Sequence, residues 1–255
     1  MKVAIITGAS SGIGEAVAVE LHSRGWAVGL VARRAERLAD IAGRLGGERV
    51  AFAPADVGDE ESLSAAVTSL EASLGPCDLM FANAGIGDGR SGRDFSAHGT
   101  KKILNVNVEG VIHAVAAVLP GMVERGHGSI AATSSVAAFR GLPNFGPYCA
   151  SKAYVTSLLQ ALRVDLRKSN IKVTTVHPGF VVSELTDRNA FDMPFLVQTD
   201  KAARIIANGL EAGKPEINFP WQMICLMKLV KWTPNWIYDR AVTALSPTQP
   251  KKELS

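Results

Sequence analysis

The chain has 255 residues, of which 47% are hydrophobic and 20% charged, and its formal net charge at pH 7 is +3. Such a chain can bury a sizeable core as one large domain, and its composition argues against disorder. The small charge comes without a long run of Lys or Arg, which disfavours nucleic acid as a partner.

The three cysteines, Cys77, Cys149 and Cys225, are widely scattered and form no CxxC pair. We interpret them as reduced thiols that act as small apolar side chains. Strand-like sequence begins at Val3, which leaves no room for a signal peptide, and no apolar run approaches the ~18 residues of a membrane-spanning helix. The sequence therefore predicts a cytoplasmic protein without a membrane span.

Short apolar or β-branched runs alternate with longer segments of helical periodicity along the chain. The predicted strands are 3–7, 27–31, 50–53, 79–82, 129–134 and 173–176, with a last strand near 216–219. The predicted helices are 14–23, 34–45, 60–74, 101–124 and 150–168. This alternation predicts an α/β protein with a doubly wound parallel sheet, the Rossmann fold, and helices on both faces. We expect one catalytic domain over 1–220 and an apolar helical extension over 221–255.

A glycine-rich turn joins the first strand to the first helix in the run Thr7-Gly8-Ala9-Ser10-Ser11-Gly12-Ile13-Gly14. Glycines allow a tight turn and a close approach of phosphate to the backbone, and the helix N-terminus offers free N–H groups with partial positive charge. The context of strand, turn and helix favours a dinucleotide site. A purely structural turn is the alternative.

The second strand ends in Ala32-Arg33-Arg34, and no acidic residue stands at this strand end. An acidic residue about 20 positions after the glycines usually binds the ribose 2′-hydroxyl of NAD. A guanidinium can instead hold a 2′-phosphate through two hydrogen bonds. The sequence therefore predicts NADP(H) rather than NAD(H), the alternative being that both arginines belong to a solvated helix start.

Tyr148 and Lys152 are four residues apart, which places them on one face of a helix. A tyrosine with a pKa near 10 is a poor acid or base at pH 7. A Lys ammonium at ~4 Å, at an effective dielectric constant near 20, would favour the phenolate by about 4 kcal/mol and lower the tyrosine pKa by roughly 3. We expect such a tyrosine to act in general acid–base catalysis, with an ordinary surface pair as the alternative.

The glycine turn and the Tyr148-x-x-x-Lys152 pair resemble the motifs of the short-chain dehydrogenase/reductase family. Three further motifs that follow predicted strands match the family in order, namely Asp56-Val57, Asn83-Ala84-Gly85 and Pro178-Gly179. The resemblance runs from about residue 3 to residue 183, and with less detail to 219. It implies hydride transfer between C4 of a nicotinamide and a carbonyl carbon.

The resemblance implies four catalytic residues, Asn107, Ser135, Tyr148 and Lys152. Tyr148 would exchange the proton, Ser135 would hold the carbonyl oxygen, and Lys152 would lower the pKa of the tyrosine and bind the nicotinamide ribose. Asn107 would support a proton-relay water. Ser134 competes with Ser135, which the interval to Tyr148 favours, and Asn105 competes with Asn107, which the following Val-Glu-Gly favours.

The resemblance also implies a cofactor site in which Arg33 holds the phosphate, Ser10 adds a second contact, and Val181 and Ser183 lie near the carboxamide. The full predicted set is Gly8, Ser10, Ser11, Gly12, Ile13, Gly14, Arg33, Arg34, Asp56, Val57, Asn83, Ala84, Gly85, Tyr148, Lys152, Pro178, Gly179, Val181 and Ser183. Asp56 could instead be a capping or turn residue. The five histidines show no metal-ligand spacing, so we expect no metal.

Two apolar segments bear on the substrate and on partners. The segment 185–198, with Phe191, Met193, Pro194, Phe195 and Leu196, suggests a pocket for a hydrophobic or lipid-like carbonyl or alcohol, although an ordinary packed lid would look the same. The segment 221–238 could pack on its own chain or a partner subunit, cover the pocket, or lie at a membrane surface. The resemblance implies a homodimer or homotetramer. A catalytically silent dinucleotide-binding regulatory or scaffold protein on the same fold is the alternative function.

Overall fold

The computed structural model describes residues 1–87, 89, 92–184, 186 and 192–245. The strands in this part of the chain are β1 (Val3–Thr7), β2 (Ala27–Ala32), β3 (Val50–Pro54), β4 (Leu79–Ala82), β5 (Gly128–Thr133), β6 (Ile171–Pro178) and β7 (Glu216–Phe219). The helices are α1 (Gly12–Ser23), α2 (Ala35–Arg44), α3 (Glu60–Leu74), α4 (Ala97–Leu104), α5 (Gly110–Arg125), α6 (Gly146–Asp165), α7 (Thr199–Glu211), α8 (Trp221–Trp232) and α9 (Asn235–Leu245).

The strands form one parallel sheet in the order β3-β2-β1-β4-β5-β6-β7. The chain therefore moves outward from β1 to β3, returns to β4 beside β1, and then moves outward to β7. This change of direction opens a crevice beyond the carboxyl ends of β1 and β4, where ligands bind in open α/β sheets. The predicted doubly wound α/β fold is confirmed.

Helices cover both faces of the sheet because neighbouring strand residues point to opposite sides. In β1, Ala4 and Ile6 are buried on one side and Ile5 on the other. The first side packs against α1, α2 and α7 through residues that include Leu21, Leu38 and Ile206. The second packs against α3, α5 and α6 through residues that include Leu63, Val115 and Leu159. The sheet is buried on both faces, which explains why its strands are continuous apolar runs.

The helix predicted over 101–124 is present within a longer helical stretch, Ala97–Arg125, in which a π-helical turn at Asn105–Glu109 joins α4 to α5. This wide turn brings Asn107 to full burial and lets the Asn105 amide donate to the Gly58 carbonyl oxygen at 3.1 Å. By length and mean hydropathy, 1.6, the stretch Ala97–Arg125 could cross a membrane. Its inner side instead belongs to the core against the sheet, so it is a core helix of the domain.

The extension beyond residue 220 begins with α8, whose inner residues Met223, Ile224 and Met227 pack on Val136. Arg140 fastens this helix: its guanidinium donates to the carbonyl oxygens of residues 230, 231 and 233, at 3.3, 3.3 and 2.7 Å. It also lies over the ring of Tyr238 in α9 at 4.2 Å. The division into a domain over 1–220 and an extension over 221–255 stays a prediction, and residues 246–255 lie outside the described residues.

Candidate active site

The glycine turn leads from β1 into α1 at the carboxyl edge of the sheet. Gly8 has φ +65°, and a Cβ there would lie 2.8 Å from the Ala84 Cα, so the turn needs glycine for both conformation and space. A Cβ at Gly14 would lie 2.6 Å from the Asn83 Nδ2, so α1 begins in direct contact with the strand end of β4. The first N–H groups of α1, at Gly12 and Ile13, line the cleft in front of the turn.

A cleft of ≈ 440 Å³ runs along this edge of the sheet, a volume typical of small-molecule sites. It brings together most of the predicted residues: Gly8, Ser10, Ser11, Gly12, Ile13, Arg33, Arg34, Asp56, Val57, Asn83, Ala84, Gly85, Ser135, Tyr148, Lys152, Pro178, Gly179, Val181 and Ser183. Two predicted residues, Gly14 and Asn107, lie behind this lining. The sequence motifs therefore converge on one site, although more than 170 residues separate the first from the last.

The two arginines after β2 differ in their surroundings. The Arg33 side chain is 66% exposed, and its Nη1 lies 3.8 Å from the Asp56 carboxylate. Arg34 donates to the hydroxyls of Ser10 and Ser11, at 2.9 and 2.8 Å, and pairs with Glu184 at 3.0 Å. This hydrogen bond holds the pKa of the Glu184 carboxyl below its usual value. Arg34 is thus engaged across the cleft, and Arg33 presents its guanidinium at the opening.

The ends of β3 and β4 are held by short polar contacts. Asp56 accepts from the Gly58 backbone N–H at 3.0 Å, so it is a turn residue as well as a lining residue. The Asn83 side chain donates to the Thr7 carbonyl oxygen at 3.3 Å and accepts from the Thr133 hydroxyl at 3.0 Å. It therefore ties the end of β4 to the ends of β1 and β5, beside the cleft.

Ser135 and Tyr148 meet across the cleft from β5 and α6. Ser135 follows β5, and its hydroxyl accepts from the Ala137 backbone N–H at 3.1 Å, which fixes the side chain. Tyr148 stands in the first turn of α6. Burial raises the pKa of its phenol, and a hydrogen bond with Ser135 opposes that rise.

Lys152 lies one turn further along α6 and is 3% exposed. Burial lowers the pKa of its ammonium from 10.5 to about 8. Its Nζ donates to the Thr133 carbonyl oxygen at 2.7 Å and lies 5.8 Å from the centroid of the Tyr148 ring. The tyrosine pKa is raised and not lowered in this arrangement, because the ammonium donates to Thr133 and burial of the phenol outweighs the attraction between ammonium and phenolate.

The side chain of Asn107 binds the backbone of the loop that follows β4. Its Oδ1 accepts from the Ile86 N–H at 2.8 Å, while its Nδ2 donates to the Ile86 carbonyl oxygen at 2.9 Å and to the Ser151 hydroxyl at 3.0 Å. A Cβ at Gly85 would lie 3.3 Å from the Lys152 Nζ and 3.4 Å from the Asn107 Oδ1. Asn107 thus clamps the loop that faces Lys152.

The two competing residues have other partners. The Ser134 hydroxyl donates to the Lys152 carbonyl oxygen at 2.8 Å and shares a hydrogen bond of 2.8 Å with Thr156. Thr156 in turn lies 3.1 Å from the His177 Nε2. Ser134 therefore lines the cleft, but its hydroxyl belongs to a polar network with Lys152 and Thr156. Asn105 is half-buried and bonds to Gly58.

The far end of the cleft adjoins the apolar segments. Val181 pairs with Val197 in an isolated parallel bridge, and the Ser183 hydroxyl donates to the Val181 carbonyl oxygen at 3.3 Å. In the predicted pocket segment, Phe195 and Leu196 are exposed, whereas residues 185, 187–190 and Phe191 lie outside the described residues. Val136, directly after Ser135, packs with Met223, Ile224 and Met227 in a buried apolar cluster, and Phe139 and Phe180 pack against this cluster.

Sequence reasoning missed two contributors, Arg140 and Glu184, and did not identify the inner face of α8 within the apolar segment 221–238. Arg140 and Glu184 act through contacts 90 or more residues away in the chain, which no local pattern indicates. Buried positions 223, 224 and 227 have the helical spacing that could have marked the inner face. Among the described residues, no group of three or more His, Cys, Asp or Glu side chains could hold a metal ion.

Comparison with known proteins agrees with this geometry. The family model described as short chain dehydrogenase matches residues 2–193. An uncharacterized oxidoreductase of Myxococcus xanthus is 37% identical over 246 residues, which are 96% of this chain and 97% of that protein. A crystal structure of a short-chain dehydrogenase/reductase from Burkholderia phymatum in complex with NAD is 26% identical, with a TM-score of 0.84 over 100% of this chain and 98% of that one. An alcohol dehydrogenase from the archaeon Thermococcus sibiricus, complexed with 5-hydroxy-NADP, is 29% identical, with a TM-score of 0.76 over 83% and 91% of the two chains. The chain therefore belongs to the short-chain dehydrogenase family of oxidoreductases.

Proposed function

We propose that this protein transfers a hydride between NADP(H) and a carbonyl or secondary alcohol with hydrophobic substituents, and that Tyr148 exchanges the proton. One observation carries the proposal: Ser135, Tyr148 and Lys152 line the same cleft as the glycine turn. The cytoplasmic location and the homo-oligomeric state expected from the sequence are part of the same proposal.

The cleft fits a dinucleotide. The N-terminus of α1 borders the cleft, and the first N–H groups of a helix have no intrahelical partner, so they are available to a pyrophosphate. Gly12, at φ +58°, carries no side chain that would cover the backbone there. Asp56 and Val57 would flank the adenine, and Val181 and Ser183 the carboxamide. Tyr148 and Lys152 would hold the nicotinamide ribose. When bound, the nicotinamide supplies or accepts the hydride.

In the reducing direction, the Tyr148 hydroxyl donates its proton to the carbonyl oxygen, which the Ser135 hydroxyl holds in place. The raised pKa of Tyr148 keeps the phenol protonated at neutral pH, as an acid must be. The phenolate left behind accepts a hydrogen bond from Ser135 and is stabilised by the Lys152 ammonium. Because the pKa of Lys152 is about 8, this charge is present at neutral pH. We therefore infer that carbonyl reduction is favoured near neutrality and alcohol oxidation at higher pH.

We infer the hydrophobic substrate class from the apolar cluster that begins directly after Ser135. Val136, Met223, Ile224 and Met227 are buried together, with Phe180 packed against them. Methionine side chains adapt to apolar ligands of different shape. We infer a substrate whose carbonyl reaches Ser135 while its apolar part contacts this cluster.

The catalytic proposal is tested by NADPH oxidation with a panel of ketones, comparing the natural protein with Tyr148→Phe. Removing the hydroxyl removes the proton donor, so we expect kcat to fall by about 100-fold or more. NADPH binding, followed by its fluorescence, serves as the control and should persist. If neither protein oxidises NADPH while both bind it, the binding or scaffold alternative replaces the enzyme.

The cofactor proposal is tested with Arg33→Ala. A bidentate, charge-assisted contact with the 2′-phosphate is worth about 1.5–3 kcal/mol, so the Kd for NADPH should rise roughly tenfold to a hundredfold while that for NADH changes little. Arg37→Ala is the matched control, since this side chain is 61% exposed and lies outside the cleft lining. Equal losses for NADPH and NADH in Arg33→Ala would refute the assignment.

A further inference from the structure

We propose that α8 and α9 form a docking face for an anionic lipid surface. The first observation is that α8 is apolar on both its inner and its outer side. Its inner side is apolar and buried, yet its outer side carries Trp221, Leu229 and Trp232, which are 71%, 70% and 80% exposed. Successive helix residues are turned by about 100°, so these three share one side of the helix. A helix that is apolar on both sides is stabilised when a second apolar surface contacts its outer side.

The second observation is the chemistry of the docking face, which comprises the outer side of α8 together with Trp236 and Ile237 of α9. Of the four tryptophans in the chain, only Trp26 lies elsewhere, and Trp236 is 64% exposed. Tryptophan is enriched where apolar lipid meets the headgroups. An exposed cluster of this residue type is therefore suited to a bilayer interface.

The third observation is charge. Between Glu216 and Asp239 the sequence contains no acidic residue, whereas Lys228 and Lys231 are exposed on α8. If a second copy covered the face symmetrically, it would bring lysines toward lysines with no carboxylate in the patch to offset them. An anionic headgroup layer supplies the missing charge. Charge complementarity thus favours lipid as the occupant.

The geometry fits binding in the plane of the surface. The twelve residues of α8 extend about 18 Å, well short of the ~30 Å hydrocarbon core of a bilayer. Helices with an apolar face flanked by lysines lie along such an interface instead. The docking face therefore attaches the protein without crossing the membrane.

The position of the docking face gives it a role in substrate access, an implication that rests on the proposed function. Phe219 ends β7 at the carboxyl edge of the sheet, and α8 begins two residues later, so the face lies at the edge that carries the cleft. The inner side of α8 packs on Val136, directly after Ser135. A carbonyl compound dissolved in lipid could thus approach the apolar cluster at Val136 without passing through bulk water.

The test is co-sedimentation of the full-length protein with vesicles of phosphatidylcholine mixed with phosphatidylglycerol, and with vesicles of phosphatidylcholine alone. We expect binding to the mixed vesicles that weakens as salt rises. The double variant Lys228→Gln/Lys231→Gln should bind roughly 25-fold more weakly, because each cation near an anionic surface contributes about a factor of five. Leu229→Gln/Trp232→Gln should bind at least about tenfold more weakly through lost apolar burial.

Val164→Gln is the matched control. Val164 is 67% exposed near the end of α6, which leads to the opposite edge of the sheet, so its replacement should leave vesicle binding unchanged. Because all these side chains are exposed, the thermal midpoints and the turnover of a water-soluble ketone should not change. Absence of binding to mixed vesicles, or full binding by the Leu229/Trp232 variant, would overturn the proposal. So would a loss of dimers in that variant, since it would assign the face to a second copy. Vesicle binding needs no turnover, so its failure is distinct from failure of the proposed function.

Discussion

Replacing Lys152 with methionine should change how the stability of the protein depends on pH. The folded-state pKa of Lys152 is about 8, against 10.5 for an unburied lysine. The unfolded chain therefore binds more protons than the folded chain between these values, and the free energy of unfolding rises with pH across this window. At 1.36 kcal/mol per pKa unit, burying the charged lysine costs about 3 kcal/mol at pH 7, and less than half of that is left at pH 9.5.

The measurement is urea unfolding at pH 7 and 9.5, with the Lys152→Met and natural proteins side by side. Methionine keeps the length of the side chain but has no proton to lose. The stability advantage of the variant should therefore shrink by about 2 kcal/mol between the two pH values. Cys77 and Tyr148, whose pKa values are raised by burial, act in the opposite direction, but they are common to both proteins.

Lys168→Met is the control, because it removes one exposed lysine and so separates the effect of burial at Lys152 from the loss of one positive charge. Parallel curves for the natural protein and Lys152→Met would refute the reasoning. They would mean that burial in the cleft does not lower the pKa of Lys152.

Three further predictions concern residues around the cleft. Asn107→Ala should lower the free energy of unfolding by about 1–3 kcal/mol, because both backbone groups of Ile86 lose a buried partner; an unchanged urea midpoint would contradict the clamp. Ser135→Ala should lower kcat for carbonyl reduction by about 100-fold or more, whereas Ser134→Ala should mainly lower stability, and the reverse pattern would exchange their roles. Arg140→Met should speed amide hydrogen exchange in α8 and leave exchange in the central strands unchanged; equal rates in α8 would show that the guanidinium does not hold it.

The elements of the sheet could be predicted well because they are buried on both sides. Strands 3–7 and 79–82 have the predicted bounds, since a continuous apolar run bounded by turn residues has few other interpretations. Helix α7 went unpredicted, although its buried positions 202, 203, 206, 207 and 210 have regular helical spacing. That signal was present in the sequence, in contrast to the π turn, which depends on the tertiary contacts of Asn105 and Asn107.

The residues of the site could be predicted from the sequence, but their pKa values could not. Spacing correctly brings Tyr148 and Lys152 to neighbouring turns of α6, both facing the cleft. It could not predict that the Nζ of Lys152 would turn to the Thr133 carbonyl oxygen, or that burial would dominate both pKa values. Arg34 and Glu184 are 150 residues apart in the chain, so their ion pair likewise could not be predicted from the sequence.

The π turn at Asn105–Glu109 has a consequence for insertions and deletions in this region. A π turn holds one residue more than the α-helical turn it replaces, so it amounts to a single-residue insertion within a continuous helix. Deleting one residue there would restore a regular α-helical turn. Because a π turn and an α turn each complete about one rotation of the helix, α4 and α5 would keep their relative orientation, and Ile103, now 4% exposed, would stay on the core. The side chain of Asn107 would lose its position, however, so the extra residue of the π turn is needed for the clamp on Ile86 and not for the packing of α4.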